Sequence, residues 1–508
     1  MINYRLELSS QSLRGGSCSN VNRQTILAAL LFFALGFLIF HPALSVGFVS
    51  DDFIWLMESQ NLQQFDPFDT QSLAFTKGRP GTMVLFLVLH KLFSADAGRF
   101  HLVMLVFHIL NAVLLFAVLR RFQLPFHFNF TAALIFLIHF TNEETLFWVS
   151  CVSSIFCLFF YLGAIYFYLK DLKNGSLIFK TVVLGCSLIA LSIREDALTI
   201  PVTLTVLHFL RTRKENVRIF DLWRRDFIFS IPAPIFLGYR RLSAAQESMG
   251  YAFSANPAVW VQNGLYFIFN LCVPIRFIFD QVSWGAHEKL RPLIIALKDI
   301  PILFVGGVLV LAAVVFLTFR FRNRISGLAK VGATLAAIGL LPYFALVGNA
   351  PRFLYFALIG GAIVMAQALF WMSERIYRNR PGRVAAFFGA VLVGASFFII
   401  RERGQWWVKS SQLAFEIIEQ TKVQAGSLRP GDTMYVASLP HRLQGAHVFH
   451  QGGYSAWSPF EEAIALHAPE LAGRVRYLGD KSLDELQEYK GRKVFTFKDG
   501  KLQEVLGF

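Results

Sequence analysis

Three pairs of adjacent acidic residues, Asp51-Asp52, Glu143-Glu144 and Glu195-Asp196, sit beside long apolar runs of this sequence. Arginines recur at comparable places: Arg79, Arg194, Arg240 with Arg241, and Arg352. Ionisable groups near membrane depth are costly and by default mark a substrate path or site. Carboxylates and arginines together suit a substrate that carries an anionic group and meets a hydroxyl to be deprotonated. Guanidinium forks bind phosphate through paired hydrogen bonds, and a carboxylate can act as general base. Each residue also admits a plainer role. Asp51-Asp52 can be a helix end, where carboxylates suit the amino terminus; Glu143-Glu144 an outer loop; Arg194-Glu195 a structural ion pair. His101 and His108, seven apart in one apolar run, and His139 fit interhelical hydrogen bonds better than metal ligation. Arg240 and Arg241 can snorkel to headgroups.

The elements that must position these residues are membrane spans. The chain has 508 residues, 55% of them hydrophobic and 16% charged, with 54 Phe and a mean hydropathy of +0.51. Several runs approach the roughly 20 apolar residues needed to cross a bilayer, and the alternating ten-residue strands of a barrel are missing. The net charge of +15 lies mostly in short loops, as insertion favours on the cytoplasmic side. No basic face is organised for phosphate contacts along a duplex, so nucleic acid is excluded as partner. The five cysteines, Cys18, Cys151, Cys157, Cys186 and Cys272, form no metal or disulfide framework and read as small apolar fillers.

Basic loops set the expected topology. A tail over 1–24, with Arg5, Arg14 and Arg23, lies inside, and an uncleaved first span over 25–48 puts Asp51 and Asp52 outside. Spans follow at 100–119, 130–147, 151–169, 177–193, 197–210 and 227–242. Arg120-Arg121, Lys170 and Arg211-Thr-Arg213-Lys214 mark the inner side, while Glu143-Glu144 and Arg194-Glu195-Asp196 face outward. The stretch 260–279 reads as re-entrant, because a full crossing would leave Arg320, Arg322 and Arg324 outside. Spans at 301–319, 331–347, 353–372 and 384–400 complete about eleven crossings. The expected fold is an all-α polytopic membrane domain over 25–400 with a small extracytoplasmic α/β domain over 401–508. In the latter, 433–438 reads as a strand and 494–505 as a hairpin around Asp499-Gly500.

Five motifs together resemble the membrane glycosyltransferases of the GT-C fold, in the branch of protein O-mannosyltransferases and bacterial polyprenyl-phosphate-sugar transferases. Asp51-Asp52-Phe53 is similar to that family's acidic pair in the first outer loop. Gly78-Arg79-Pro80, then Phe100-His101, His108 and Asn111, resembles its Arg-Pro and histidine-rich region. His139 to Glu144, then Trp148-Val149-Ser150, resembles its His-Pro-x-x-x-Glu-x-x-x-Trp-x-Ser pattern. Ile193-Arg194-Glu195 matches a Lys-Glu step, and Arg352-Phe-Leu-Tyr355 a late Arg-Tyr-Leu-Tyr motif. The sequence departs from the pattern at Phe140 in place of Pro, Met104 in place of Asn and Arg194 in place of Lys. It has no tetratricopeptide repeats, which favours a bacterial enzyme over the eukaryotic relatives that carry them.

The resemblance implies a polyprenyl-phosphate-linked sugar as donor and transfer with inversion to an acceptor hydroxyl at the outer face. The acceptor would be an envelope glycan, a lipid or a protein, and the setting a bacterial inner membrane. It makes Asp51 or Asp52 the general base, Asp51 preferred, with Arg352, Arg240, Arg79 and Tyr355 at the donor phosphate. Glu144, Glu195, Arg194, His101 and His139 would orient the acceptor or the arginines. A divalent metal, Mg or Mn, serves some relatives, and no ligand spacing here demands one. The rivals are a transporter or flippase of lipid-linked saccharides, an inactive scaffold of the same fold, and a ligase using a diphosphate donor. A transporter would show matching broken spans in two halves, which the sequence lacks.

Overall fold

The computed structural model describes residues 18–60, 62, 78–212, 226–242, 253–272, 327–346, 348–376, 381–429, 431–449, 458–481 and 485–505. Residues 1–17 of the tail, Arg213, Lys214, the end of the 260–279 stretch, the expected span at 301–319 and Arg320, Arg322 and Arg324 lie outside them. The described chain is mostly helical, with a small sheet near its carboxyl end.

Helix α1 covers Cys18–Phe40, α2 Asp51–Gln60, α3 Pro80–Phe93, α4 Ala97–Arg120 and α5 Phe126–Ile138. The six-residue α6 is Asn142–Phe147, followed by α7 Val152–Asn174, α8 Leu177–Ile193, α9 Ile200–Thr212, α10 Pro232–Leu242 and α11 Pro257–Cys272. Then come α12 Gly327–Leu340, α13 Leu354–Ile376, α14 Pro381–Gly426 and α15 Pro459–His467. Four helical segments, Arg23–Ser45, Ala97–Arg120, Val149–Leu172 and Pro351–Glu374, are long and apolar enough to cross a bilayer. Shorter apolar helices stand at Pro80–Phe93, Phe126–Ile138, Leu177–Ile193 and Gly327–Leu340. The protein is therefore an integral membrane protein; the count of about eleven crossings goes beyond these four segments.

Three elements differ from expectation. Helix α3 was not anticipated, since fourteen residues fall short of a full crossing. The single span expected over 130–147 is broken. His139 is extended (ψ 135°), and Asn142 donates from Nδ2 to Phe136 O at 2.7 Å, so α6 starts afresh with Glu143 and Glu144 in its first turn. That placement sets both carboxylates at the favourable end of a helix. Finally, the expected span at 384–400 is the first part of α14, which runs on for 46 residues to Gly426. Residue 401, where a separate carboxyl-terminal domain is expected to begin, lies within this helix.

Close helix contact in the apolar domain rests on small residues. On α13, a Cβ at Gly360 would collide with Ala336 N and Gly332 O of α12, so only glycine permits this approach. The carboxyl-terminal sheet has the order β4-β1-β5-β6, with β1 Met434–Ala437, β4 Val475–Tyr477, β5 Lys493–Lys498 and β6 Lys501–Glu504. Strand β1 is parallel to β4 and β5, and β5 turns back into β6 at Asp499 (φ 51°) and Gly500 (φ 77°), the twist-matched hairpin the Asp-Gly pair predicts. Gln420 on α14 accepts from Leu502 N at 2.7 Å and donates to Gly500 O at 3.0 Å, fixing the hairpin to the helix.

A second small ladder, β2 Arg442–Leu443 with β3 Ala446–His447, faces the membrane domain. Just after it, Val448 O accepts from Ser50 N at 2.8 Å, and Phe449 packs on Phe53 with centroids 6.3 Å apart. The carboxyl-terminal segment thus packs on the turn that opens α2.

Candidate active site

The Asp51-Asp52 turn is built by its neighbours. Ser50 adopts a left-handed φ of 52°, a conformation a non-glycine residue holds only when its surroundings fix it; the bond to Val448 does so here. Asp52 is fully buried. Its Oδ2 accepts from Val49 N at 3.0 Å, and its Oδ1 from Ser150 N at 2.6 Å and Ser150 Oγ at 2.5 Å. Burial pushes the Asp52 carboxyl up to about 7, against the Ser150 and Val49 donors that pull it down. Asp51 is partly exposed, with Ser50 Oγ donating to its Oδ1 at 3.5 Å. The two aspartates are therefore inequivalent: Asp52 clamps the turn to Ser150, and Asp51 faces outward from it.

Ser150 ends the segment that carries the second acidic pair. Glu144 is buried, and its Oε1 accepts from Arg352 Nη1 at 2.6 Å and lies 3.5 Å from His447 Nε2. Arg352 lies in a short 3-10 turn that leads into α13, with its guanidinium carbon 4.9 Å from the ring centroids of both Trp148 and Phe353. Trp148 stacks on His447 at 4.3 Å. Glu143 turns the other way: Arg403 Nε and Trp407 Nε1, both on α14, donate to its Oε1. Trp148 Nε1 and Thr145 Oγ1 are buried and have no hydrogen-bond partner among the described residues. Buried orphans of this kind invite a ligand hydroxyl or water.

A third group adjoins this one. Arg79 clasps Glu195 bidentately, Nε at 3.0 Å and Nη2 at 2.5 Å, and Arg240 Nη1 lies 3.8 Å from the same carboxylate. Burial would raise the Glu195 carboxyl, yet Arg79, Arg194 and Arg240 hold it down at about 2. Arg194 binds Asp196 at 2.8 Å and Tyr343 OH at 3.0 Å, and Tyr343 also donates to Asp196. Tyr343 stacks on Phe353, next to Arg352, at 4.4 Å and 10°. The two ionic groups thus meet across one aromatic pair.

Three residues take supporting positions. His101 Nδ1 bonds Leu146 O at 2.9 Å. His139 bonds Thr141 Oγ1 at 2.8 Å and Leu271 O at 3.1 Å. Both brace the ends of α6, and so position Glu143 and Glu144 through the backbone. Tyr355 is buried, its hydroxyl 2.8 Å from His108 Nδ1 and 3.1 Å from Asn111 Nδ2. The structure ties it into the helix packing between α4 and α13, apart from the arginine contacts described above. Tyr355→Phe should therefore leave affinity for a phosphate-bearing lipid within about twofold and lower stability by about 1 kcal/mol. Binding titrations and thermal melts of purified protein check both. Arg79→Ala strips the partly buried Glu195 carboxylate of its main counter-charge, so a loss of about 1–3 kcal/mol is expected. Thermal melts should show a lowered midpoint that Arg79→Ala/Glu195→Ala largely restores.

Among the described residues, no three His, Cys, Asp or Glu side chains converge to hold a metal ion. Asp52 is engaged by Ser150, Glu143, Glu144, Glu195 and Asp196 by arginines, and Asp51 by Ser50 Oγ, so these carboxylates form no shared donor set for a divalent cation among the described residues, and no step is routed through one.

The sequence matches no protein-family model and no curated protein. Among solved structures, the chain is similar to the Archaeoglobus fulgidus oligosaccharyltransferase tethered with an acceptor peptide. The likeness has 11% identity and a TM-score of 0.40, covering 91% of this chain and 64% of that one. It is also similar to ArnT from Cupriavidus metallidurans bound to undecaprenyl phosphate, with 12% identity and a TM-score of 0.40, covering 94% and 93% of the two chains. The chain spans less than two thirds of the oligosaccharyltransferase. Likeness at this level settles neither fold nor chemistry, and the geometry of the site must carry the functional reading.

Four contributors were not legible from the spacing of charges: Ser150 as a ligand of Asp52, and Arg403, Trp407 and His447 from α14 and β3. The motif signal did include Trp148-Val149-Ser150. The other three lie beyond residue 400, more than 250 residues from the carboxylates they meet.

Proposed function

We propose that the protein is a GT-C-type membrane glycosyltransferase that moves a sugar from a polyprenyl-phosphate donor to an acceptor hydroxyl, with inversion, at the extracytoplasmic face. One observation carries this reading. A single buried segment, 143–150, gathers a phosphate-competent arginine on Glu144 and Trp148 and, through Ser150, the Asp51-Asp52 turn. The motif resemblance supports it.

In this reading, Arg352 binds the donor phosphate, and Arg240, a third exposed beside Glu195, adds a second positive charge. Arg79 and Arg194 hold Glu195 and Asp196. Asp51 accepts the proton of the acceptor hydroxyl as its oxygen bonds to the anomeric carbon. The bond from that carbon to the phosphate oxygen breaks, and polyprenyl phosphate leaves with the electron pair. Phosphate is a competent leaving group, so charge stabilisation and a positioned base suffice. A bacterial inner membrane and an extracytoplasmic carboxyl-terminal domain are part of the proposal.

The test is transfer itself. Purified protein in lipid nanodiscs is given radiolabelled polyprenyl-phosphate sugars and an extract of envelope lipids and glycans. Label should move from the donor to an acceptor. Label that crosses the bilayer of reconstituted vesicles while still on its lipid would instead identify a transporter.

A further inference from the structure

Resting on the reading above, we infer that His447, carried by the carboxyl-terminal domain, is a positioning residue that frees Arg352 for an incoming phosphate. Arg352 is engaged before any donor arrives: its Nη1 is 2.6 Å from Glu144 Oε1. To bind a phosphate it must loosen this bond, and that would leave Glu144 buried (1% exposed) with less compensation, a costly state for a carboxylate. His447 Nε2 is 3.5 Å from the same oxygen. Its ring is fixed by stacking on Trp148 at 4.3 Å and by packing on Trp407 at 5.6 Å. Its backbone is held too, because Ser410 Oγ on α14 donates to His447 O.

A modest shift closes the gap from 3.5 Å to hydrogen-bond length. His447 then takes over Glu144 as Arg352 turns to the phosphate. The rigid seat of the imidazole makes this exchange a property of the docked carboxyl-terminal domain. The domain thereby completes the site, rather than merely capping it.

Full-length variants in nanodiscs, titrated with a polyprenyl phosphate, test the idea. Removing His447 takes from Glu144 the imidazole that would replace Arg352, so His447→Ala should raise the Kd for the lipid phosphate about tenfold. KM for the sugar donor should rise with it, and kcat should change little. His447→Gln, which keeps an N–H donor, should recover most of the affinity. In a Glu144→Gln background the Glu144 carboxylate that His447 would take over is gone, so adding His447→Ala should have no further effect. Equal Kd values for wild type and His447→Ala, with matching thermal melts, would overturn the inference. So would an undiminished tenfold loss in the Glu144→Gln background. Should His447→Ala fail to fold, His447→Phe, which keeps a stacking ring on Trp148 and lacks the N–H, takes its place alone and with Glu144→Gln in the same cycle. Wild-type protein that does not bind polyprenyl phosphate at all sinks the glycosyltransferase reading, and this inference with it.

Discussion

Asp51→Asn should lower sugar transfer by about 10²- to 10⁴-fold, the usual worth of a positioned base, with lipid-phosphate affinity unchanged. The side chain keeps its size but loses its negative charge and its capacity to take a proton. Single-turnover measurements with a labelled donor would read the loss directly, and full activity in this variant would end the proposal that Asp51 is the base. Asp52→Asn should behave differently. Asp52 is fully buried and holds three donors, which suits it to anchoring the turn, and an amide there turns an N–H toward the Val49 N–H. The turn should loosen, and transfer should fall together with stability.

The pH dependence of stability separates the two further. The Asp52 carboxyl is raised in the folded state, from 3.8 to about 7. Its contribution is fully present below the unfolded value and is lost as pH rises through about 7. Wild-type melting temperature should therefore carry a decline between about pH 4 and 7 that Asp52→Asn lacks and Asp51→Asn retains. Equal slopes in all three proteins would mean that Asp52 does not titrate in this way.

How much of this was legible beforehand depended on sequence range. Local signals served well: Asp499-Gly500 forms the hairpin turn, and residues 434–437 form a strand. The long apolar runs at 100–119, 151–169 and 353–372 fall on helices able to cross a bilayer. The apolar run misled at 130–147, because hydropathy does not register a break made by an extended His139 and an Asn142 side chain bonded to Phe136 O. The acidic pairs were visible as costly charges, but their partners were not. Glu143 and Glu144 are partnered from α14, β3 and the turn before α13, and no local pattern encodes contacts across 200 residues or more. Asp51 and Asp52 look alike in sequence; the donors Val49 N and Ser150 distinguish the anchored one from the partly exposed one.

Arg352→Ala should raise the Kd for polyprenyl phosphate by roughly 10- to 150-fold, the range expected when a charged hydrogen-bonding group is removed. Arg352→Lys should recover only part of it. A lysine keeps the charge, yet it lacks the planar fork and its stacking over Trp148 and Phe353. The alanine variant also leaves Glu144 buried without its closest counter-charge, so about 3 kcal/mol of stability should be lost with it. That loss could mimic a binding defect, and Arg352→Ala/Glu144→Ala separates the two. Removing both members of a buried pair costs far less than removing one, so the double variant should melt near wild type and still bind the lipid phosphate poorly. If instead affinity returns along with stability, Arg352 serves only to neutralise Glu144, and the donor phosphate must be held elsewhere, with Arg240 the next arginine to test.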